Sequence, residues 1–232
     1  MELKKIARAF DILSKFYDLI SYTMSLGVTI YWRSELVKET INNIGDRDKY
    51  LLDLCCGTGD IAIGVYKKTK KHKQLKVIGF DVSFGMLKKM IQKSKDYQSI
   101  IPIMGDIGSM PFKDKVFDLS TMSFGARSLF EGEKNFEEYL KEILRVSKKL
   151  LNLETSHPKN PIIKFLYYSY LYFIIMILGS IFFPHYNKEY FKTIMSFPGY
   201  EELSEILKKI GYKQVIAKPL LFGMACIHIS YE

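Results

Sequence analysis

Cysteine is sparse. The chain has three in 232 residues, Cys55, Cys56 and Cys226, with no Cys-x-x-Cys pair. That count gives no basis for a disulfide framework or a structural zinc site. It fits a reducing compartment, with Cys55 and Cys56 as small buried residues beside a turn. No apolar stretch of signal-peptide length stands at Met1–Arg8, so a cytoplasmic location is expected. Arginine is scarce as well, and lysine supplies nearly all of the positive charge behind the net +9. Phosphate-clamping and base-reading sites favour arginine. Most of this charge, including Lys67 to Lys73, therefore reads as a solvated surface, and attraction to an anionic membrane is the functional alternative. The chain also lacks an Asn-Pro-Pro-Tyr-type run and any RNA-binding module, so no nucleic-acid partner is expected.

A third glycine is missing where it would matter most. The run Leu51-Leu52-Asp53-Leu54-Cys55-Cys56-Gly57-Thr58-Gly59-Asp60 reads as a buried strand, a glycine turn and the start of a helix. Gly57 and Gly59 can take positive φ and let backbone amides approach a ligand closely. The helix from about Asp60 aims its first N–H groups at the same place. A full Gly-x-Gly-x-x-Gly would favour the pyrophosphate of a dinucleotide. Here Asp60 occupies the first helical turn and repels a second negative charge. A phosphate-free ligand with positive charge fits better, and S-adenosylmethionine is such a ligand.

Residues 1–45 read as a helical cap with apolar positions at Ile6, Phe10, Leu13, Phe16, Tyr17 and Ile20. Strands are expected at Tyr50–Cys56, Leu75–Val82, Ile100–Met104, Val116–Ser123 and Leu150–Glu154. Helices separate them, one running to about Lys70, one over Ser83–Lys95 with Ser83 as N-cap, and a charged one over Glu133–Lys148. This alternation predicts an α/β fold with a doubly wound, Rossmann-like parallel sheet in a single domain, 1–232. The end reads as a helix over Pro198–Gly211 and a hairpin of Gln214–Leu221 with Met224–Ser230. Residues 158–195 form an apolar insertion. Within it, Phe165–Phe183 is uncharged and near the length that spans a bilayer, about 20 residues. Three readings compete: a membrane span, a buried helix pair, or a lid for a lipid-like substrate that dips into the interface.

Three aspartates stand at strand ends. Asp81 closes the second strand, where a carboxylate can accept from both hydroxyls of a ribose, and its competing role is to cap the next helix. Asp106 follows the third strand and can accept from an adenine amine, with Ile107 against the ring. Asp118 reads as structural.

The chain resembles the quinone C-methyltransferase family, within the class I S-adenosylmethionine methyltransferases. The resemblance rests on Ser14-Lys15-Phe16-Tyr17-Asp18, Met24-Ser25-Leu26-Gly27, Trp32-Arg33 and the glycine turn. Asp81 with Gly85-Met86-Leu87, Pro111-Phe112-x-Asp114, Phe117-Asp118, Ser123-Phe124-Gly125 with Arg127, Arg145-Val146 and Leu153-Glu154 extend it over nearly the whole length. It implies a seven-stranded sheet of order 3-2-1-4-5-7-6 with the seventh strand antiparallel. It also implies that Thr58, Asp81, Asp106, Ile107 and Ser123 contact S-adenosylmethionine. With Asp53, Gly57 and Gly59 of the turn, these are the candidate cofactor residues. The chain departs from the family at Cys55 and Cys56, which replace Ala and Gly, and at Ser128, which replaces Asn. A Lys-Pro-Gly-Gly turn before the fifth strand is also lost.

Methylating a quinol carbon requires in-line alignment and a ring hydroxyl that loses its proton. Arg127 is the candidate to hold the oxyanion, against a competing surface pair with Glu131. Tyr17 is the candidate for moving the proton, and Glu154 and His157 stand behind it. His185 and Tyr190 read as structural. The expected partners are an isoprenoid quinol and the surface of an anionic membrane, and a homodimer is allowed. Another acceptor on the same fold, or a lipid-binding scaffold without catalysis, is the rival reading.

Overall fold

The computed structural model describes residues 7–8, 10–12, 14–69, 75–130, 136–182 and 187–232, with the side chains of 178–182 and 187–190 left aside. Ile6, Leu13, Lys70 to Lys73, Glu131, Phe183 and His185 lie outside the described residues, as do the first residues of the helix expected from Glu133; the side chain of Tyr190 is also left aside.

Seven strands form the centre: β1 (Tyr50–Leu54), β2 (Lys76–Asp81), β3 (Ile100–Met104), β4 (Leu119–Ser123), β5 (Lys149–Thr155), β6 (Gln214–Leu220) and β7 (Ala225–Tyr231). They join in one sheet of order β3-β2-β1-β4-β5-β7-β6. β1 runs parallel to β2 and β4, and β7 runs antiparallel to both β5 and β6. Parallel neighbours need crossover helices, so helices cover both faces and the strands read as near-continuous apolar runs.

The helices are α1 (Tyr17–Ser25), α2 (Val28–Asn43), α3 (Asp60–Lys68), α4 (Phe84–Ser94), α5 (Ala126–Phe130), α6 (Phe136–Val146), α7 (Pro161–Phe182), α8 (Asn187–Ser196) and α9 (Tyr200–Ile210). Alternation along each strand divides the core in two. Leu51, Val77, Leu119 and Leu151 face Leu36, Ile61 and Met90 of α2, α3 and α4. Leu52, Ile78, Met122 and Leu150 face Leu140 and Ile143 of α6 and Leu203 and Leu207 of α9. Burying each such side chain stabilises the fold by about 1.5–3 kcal/mol.

The expected element order holds, and the boundaries move. β4 begins at Leu119 rather than Val116. Lys115 takes φ +53°, and Phe117 makes only an isolated bridge to Ser147, so the ladder cannot start earlier. Ser83 does cap α4, accepting from the Met86 N–H at 3.2 Å. Asp118 is structural: its carboxylate accepts from the N–H groups of Lys49 and Tyr50 and pairs with Lys148.

The apolar run is one helix, α7, entered through Asn160, whose side chain accepts from Ile162 and Ile163. Only Tyr167 and Ile175 of its described side chains are buried, whereas Phe165 and Phe173 are 71% and 63% exposed. Its tyrosines are tied to protein. Tyr167 donates to the Met224 carbonyl, Tyr170 to the Met24 carbonyl, and Tyr168 bonds the His157 ring. Among the described residues no helix is long and apolar enough to cross a membrane. The spanning reading therefore gains no support from the structure.

Candidate cofactor and active site

β1, β2, β3 and β4 are parallel, so their carboxyl ends meet at one edge of the sheet. The glycine turn leaves β1 there. Cys55, Gly57 and Gly59 take φ of +48°, +53° and +86°. A Cβ on Gly59 would come within 2.6 Å of Met90, so that residue is needed for the α3–α4 contact. Among the described residues, a Cβ on Gly57 would meet nothing nearer than the Cys55 carbonyl at 4.0 Å, its chain neighbours apart. A left-handed cysteine is strained, and such strain gathers at sites of function.

Asp81 locks this turn to the next element. One carboxylate oxygen accepts from the Gly57 N–H at 2.8 Å and the other from the Ser83 N–H at 2.9 Å. The residue thus holds the glycine turn to the start of α4 and lines the cleft as well, with acceptor capacity left on its carboxylate. Burial raises its pKa against these backbone donors. Asp53 is buried deeper, accepting from the Thr121 hydroxyl at 2.9 Å and the Ala62 N–H at 3.2 Å. Burial lifts its carboxyl to about 7, with those two hydrogen bonds opposing. Asp106 accepts from the Gly108 N–H at 2.8 Å, which fixes the short turn that presents Ile107. Ser123 ends β4 with its hydroxyl buried and without a partner among the described residues.

Two adjoining parts of a cleft, with Tyr17, Cys55, Gly57 and Ser123 in the lining of both, collect these groups. Its wider part, about 710 Å³ of open space, is bordered by Phe10, Tyr17, Asp81, Asp106, Ile107 and Ser123, with Ser128, Leu129 and Tyr139 at its far wall. A narrower chamber adds Arg33, Asp53, Thr58 and Asp60. Cys55 also lines both parts, and burial raises its thiol well above the ordinary cysteine value, with Asp81 adding to the effect.

The N-terminal segment roofs this cleft. Asp11 accepts from the Ser83 hydroxyl at 2.6 Å and the Gly85 N–H at 2.8 Å. Asp18 accepts from the Thr58 hydroxyl at 2.7 Å and from Lys93 at 3.1 Å. Burial pushes the Asp18 carboxyl up, but Thr58 and Lys93 outweigh it and hold its pKa below the usual value. Lys93 also donates to Thr58 at 2.9 Å and to Asp60 at 2.6 Å, and Arg33 donates to Asp60 at 2.9 Å. Asp60 is therefore doubly paired. The Thr58 hydroxyl is committed to α1 and α4.

The candidates for chemistry are spread differently. Tyr17 lines both parts of the cleft, edge-on to Phe10 at 6.3 Å. Arg127 is 9% exposed, with its backbone N–H donating to the buried Glu154 carboxylate at 3.2 Å. It is a buried residue of α5, not a surface one, and its neighbour Ser128 is the one that borders the cleft. His157 bonds Tyr168 and the Phe197 carbonyl, tying β5 to α7 and the segment before α9. Asp11 and Lys93 are the members of the cluster that no sequence pattern marks. Arg33 stood in the Trp32-Arg33 match without a role.

An adenosyl sulfonium fits these residues. Asp81 offers acceptor lone pairs to a diol, Asp106 and Ile107 offer an acceptor beside an apolar surface, and the Ser123 hydroxyl has an unused donor.

Sheet order, glycine turn and acidic cleft together define a methyltransferase of Rossmann-like fold. The fold is shared with an S-adenosylmethionine-dependent methyltransferase from Aquifex aeolicus, at TM-score 0.57 and 16% identity over 84% of this chain and 88% of that one. It is also shared with the CurJ carbon methyltransferase, at TM-score 0.60 and 15% identity over 82% of this chain and 50% of that one. The model of the ubiE/COQ5 methyltransferase family matches residues 1–232, and the chain belongs to that family. The demethylmenaquinone methyltransferase of Anoxybacillus flavithermus is 31% identical over 236 residues, 99% of this chain and 96% of that protein. The enzyme of the same name from Lactiplantibacillus plantarum is 32% identical over 235 residues, 98% and 96% respectively. The chain is an enzyme that uses S-adenosylmethionine to methylate its substrate.

Proposed function

We propose that the acceptor is the ring of a demethylated isoprenoid quinol of the demethylmenaquinol type, methylated at carbon. Near-complete coverage of relatives that carry that name is the observation behind this reading. The exposed apolar flank of α7 accords with a prenylated substrate.

The cofactor supplies a methyl group that is already electrophilic, so the protein's task is alignment and charge. Asp81 and Asp106 with Ile107 seat the adenosine, with Ser123 and the glycine turn beneath. The acceptor ring lies in the wider part of the cleft under Tyr17 and Phe10, against Ser128 and Tyr139. Its hydroxyl gives up a proton. The new carbon–carbon bond would form as the sulfur–methyl bond breaks and S-adenosylhomocysteine leaves. The methylated carbon would then lose its own hydrogen as a proton while the ring oxygen is reprotonated. Tyr17 is assigned to positioning the water or group that takes the hydroxyl proton. Arg127 is assigned to stabilising the oxyanion, since its guanidinium stays charged at any working pH.

The isoprenoid tail leaves along α7. Phe165 and Phe173, with Phe222 of the β6–β7 loop at 75% exposure, offer an apolar surface that meets a bilayer, and the net charge of +9 favours one with anionic headgroups. On this reading residues 1–45 cap the site and 158–195 shelter the tail.

The test is incubation of the purified protein with S-adenosylmethionine and short-tailed demethylmenaquinol under reducing conditions. Mass spectrometry should find product heavier by one methylene, with equimolar S-adenosylhomocysteine. Protein that binds the cofactor yet methylates none of a panel of demethylated quinols would rule the acceptor out.

A further inference from the structure

The cleft has two ends of different character. Asp81, Asp106 and Ile107 line the wider part and suit an adenosine. Cys55 and Gly57 lie in both parts, so the aminoacyl end of S-adenosylmethionine falls to the chamber. That end carries an ammonium and a carboxylate. Asp53 gives the ammonium an acidic surrounding, but a carboxylate needs a cation. Among the described residues lining the chamber, Arg33 is the one lysine or arginine.

Its setting suits the task. Nη1 of Arg33 donates to Oδ2 of Asp60 at 2.9 Å, and the guanidinium lies 5.7 Å from the centre of the Phe124 ring. Phe124 takes φ +57° directly after Ser123, a strained backbone that sets its ring between Trp32 and this arginine. Stacking on an aromatic fixes the plane of a guanidinium. The other oxygen of Asp60 holds Lys93 at 2.6 Å. Asp60 therefore keeps a cation of its own when Arg33 turns an N–H edge to a ligand.

We propose that Arg33 binds the α-carboxylate of S-adenosylmethionine. The planar fork accepts a carboxylate through two parallel hydrogen bonds, which a lysine cannot reproduce. α2 thereby delivers a cofactor ligand from the N-terminal part of the chain to the glycine turn.

Calorimetry with S-adenosylmethionine and its decarboxylated analogue tests this, since the two differ only in that carboxylate. Native protein should favour the carboxylated form. Arg33→Met should weaken S-adenosylmethionine by about 10- to 100-fold, the range of a charge-assisted pair, and leave the analogue nearly unchanged. Arg33→Lys should fall between. Asp60→Asn should keep the preference, because it removes the arginine's neighbour and not the arginine. Equal weakening of both ligands in Arg33→Met, or loss of the preference in Asp60→Asn, makes the arginine a structural partner of Asp60 and overturns the assignment. If Arg33→Met does not fold, native protein that shows no preference, or a lysine variant that keeps all of it, does the same. Native protein that binds neither ligand overturns the cofactor site itself. Methylation of a quinol does not enter the readout, so a wrong acceptor leaves this result intact.

Discussion

At the scale of single residues, the aspartates do most of the work, and their environments separate them. Asp81 was legible because it follows the glycine turn at the spacing of a second strand. Its bond to the Gly57 N–H was not legible, because that contact depends on how β1 and β2 end side by side. Arg33 bonds Asp60 across 27 positions of sequence, and no local pattern announces such a pair. Asp53 carries a pH dependence. Its pKa is raised to about 7 in the fold, against about 3.9 in an unfolded chain. The folded state then holds the extra proton between those values, so this group's contribution is full below about pH 4 and is lost as pH rises through 7. Asp53→Asn should flatten the fall of the urea midpoint between pH 4 and pH 7. An unchanged slope would show that Asp53 ionises normally. Cys55, with its raised pKa, should react with iodoacetamide at pH 8 far more slowly than a free thiol. Labelling at the free-thiol rate would contradict the raised pKa of this thiol.

At the scale of elements, the strand–helix alternation was readable because each strand is a short apolar run bounded by turn residues. The N-terminal segment was readable as helical and unreadable as a roof. What makes it one is a pair of carboxylates, Asp11 on the start of α4 and Asp18 on Thr58 and Lys93, whose partners lie far along the chain. Asp18→Ala should loosen α1 while the sheet stays intact. Hydrogen exchange should rise in residues 14–25, and cofactor affinity should fall by about fivefold, the scale of a half-exposed ion pair with one hydrogen bond. Unaltered exchange in α1 would mean that apolar contacts alone hold the roof. The apolar run also changed character on folding. Continuous hydrophobicity suggested a span, a buried helix pair or a lid, but Ile175 is 1% exposed while Phe173 is 63% exposed, so α7 has an inner and an outer side. Periodicity could not show this, because both sides are apolar.

At the scale of the whole molecule, the sheet order was expected from the family resemblance and is the order found. The alternating elements alone required only a parallel, doubly wound sheet. Net charge and the outer side of α7 bear on where the enzyme works. Vesicles with anionic lipid should retain the protein, and serine at both Phe165 and Phe173 should weaken that retention about tenfold without altering the melting temperature, since neither side chain is in the core. Retention that is unchanged in the variant, or equal on neutral vesicles, would remove the bilayer from the account. The acidic cleft at the strand ends is the proposed cofactor site. Calorimetric binding of S-adenosylmethionine to native protein and to Asp81→Ala tests it most directly. The native protein should bind, and the variant, still folded, should bind at least about a hundredfold more weakly. Equal binding by the two, or none by the native protein, would contradict it.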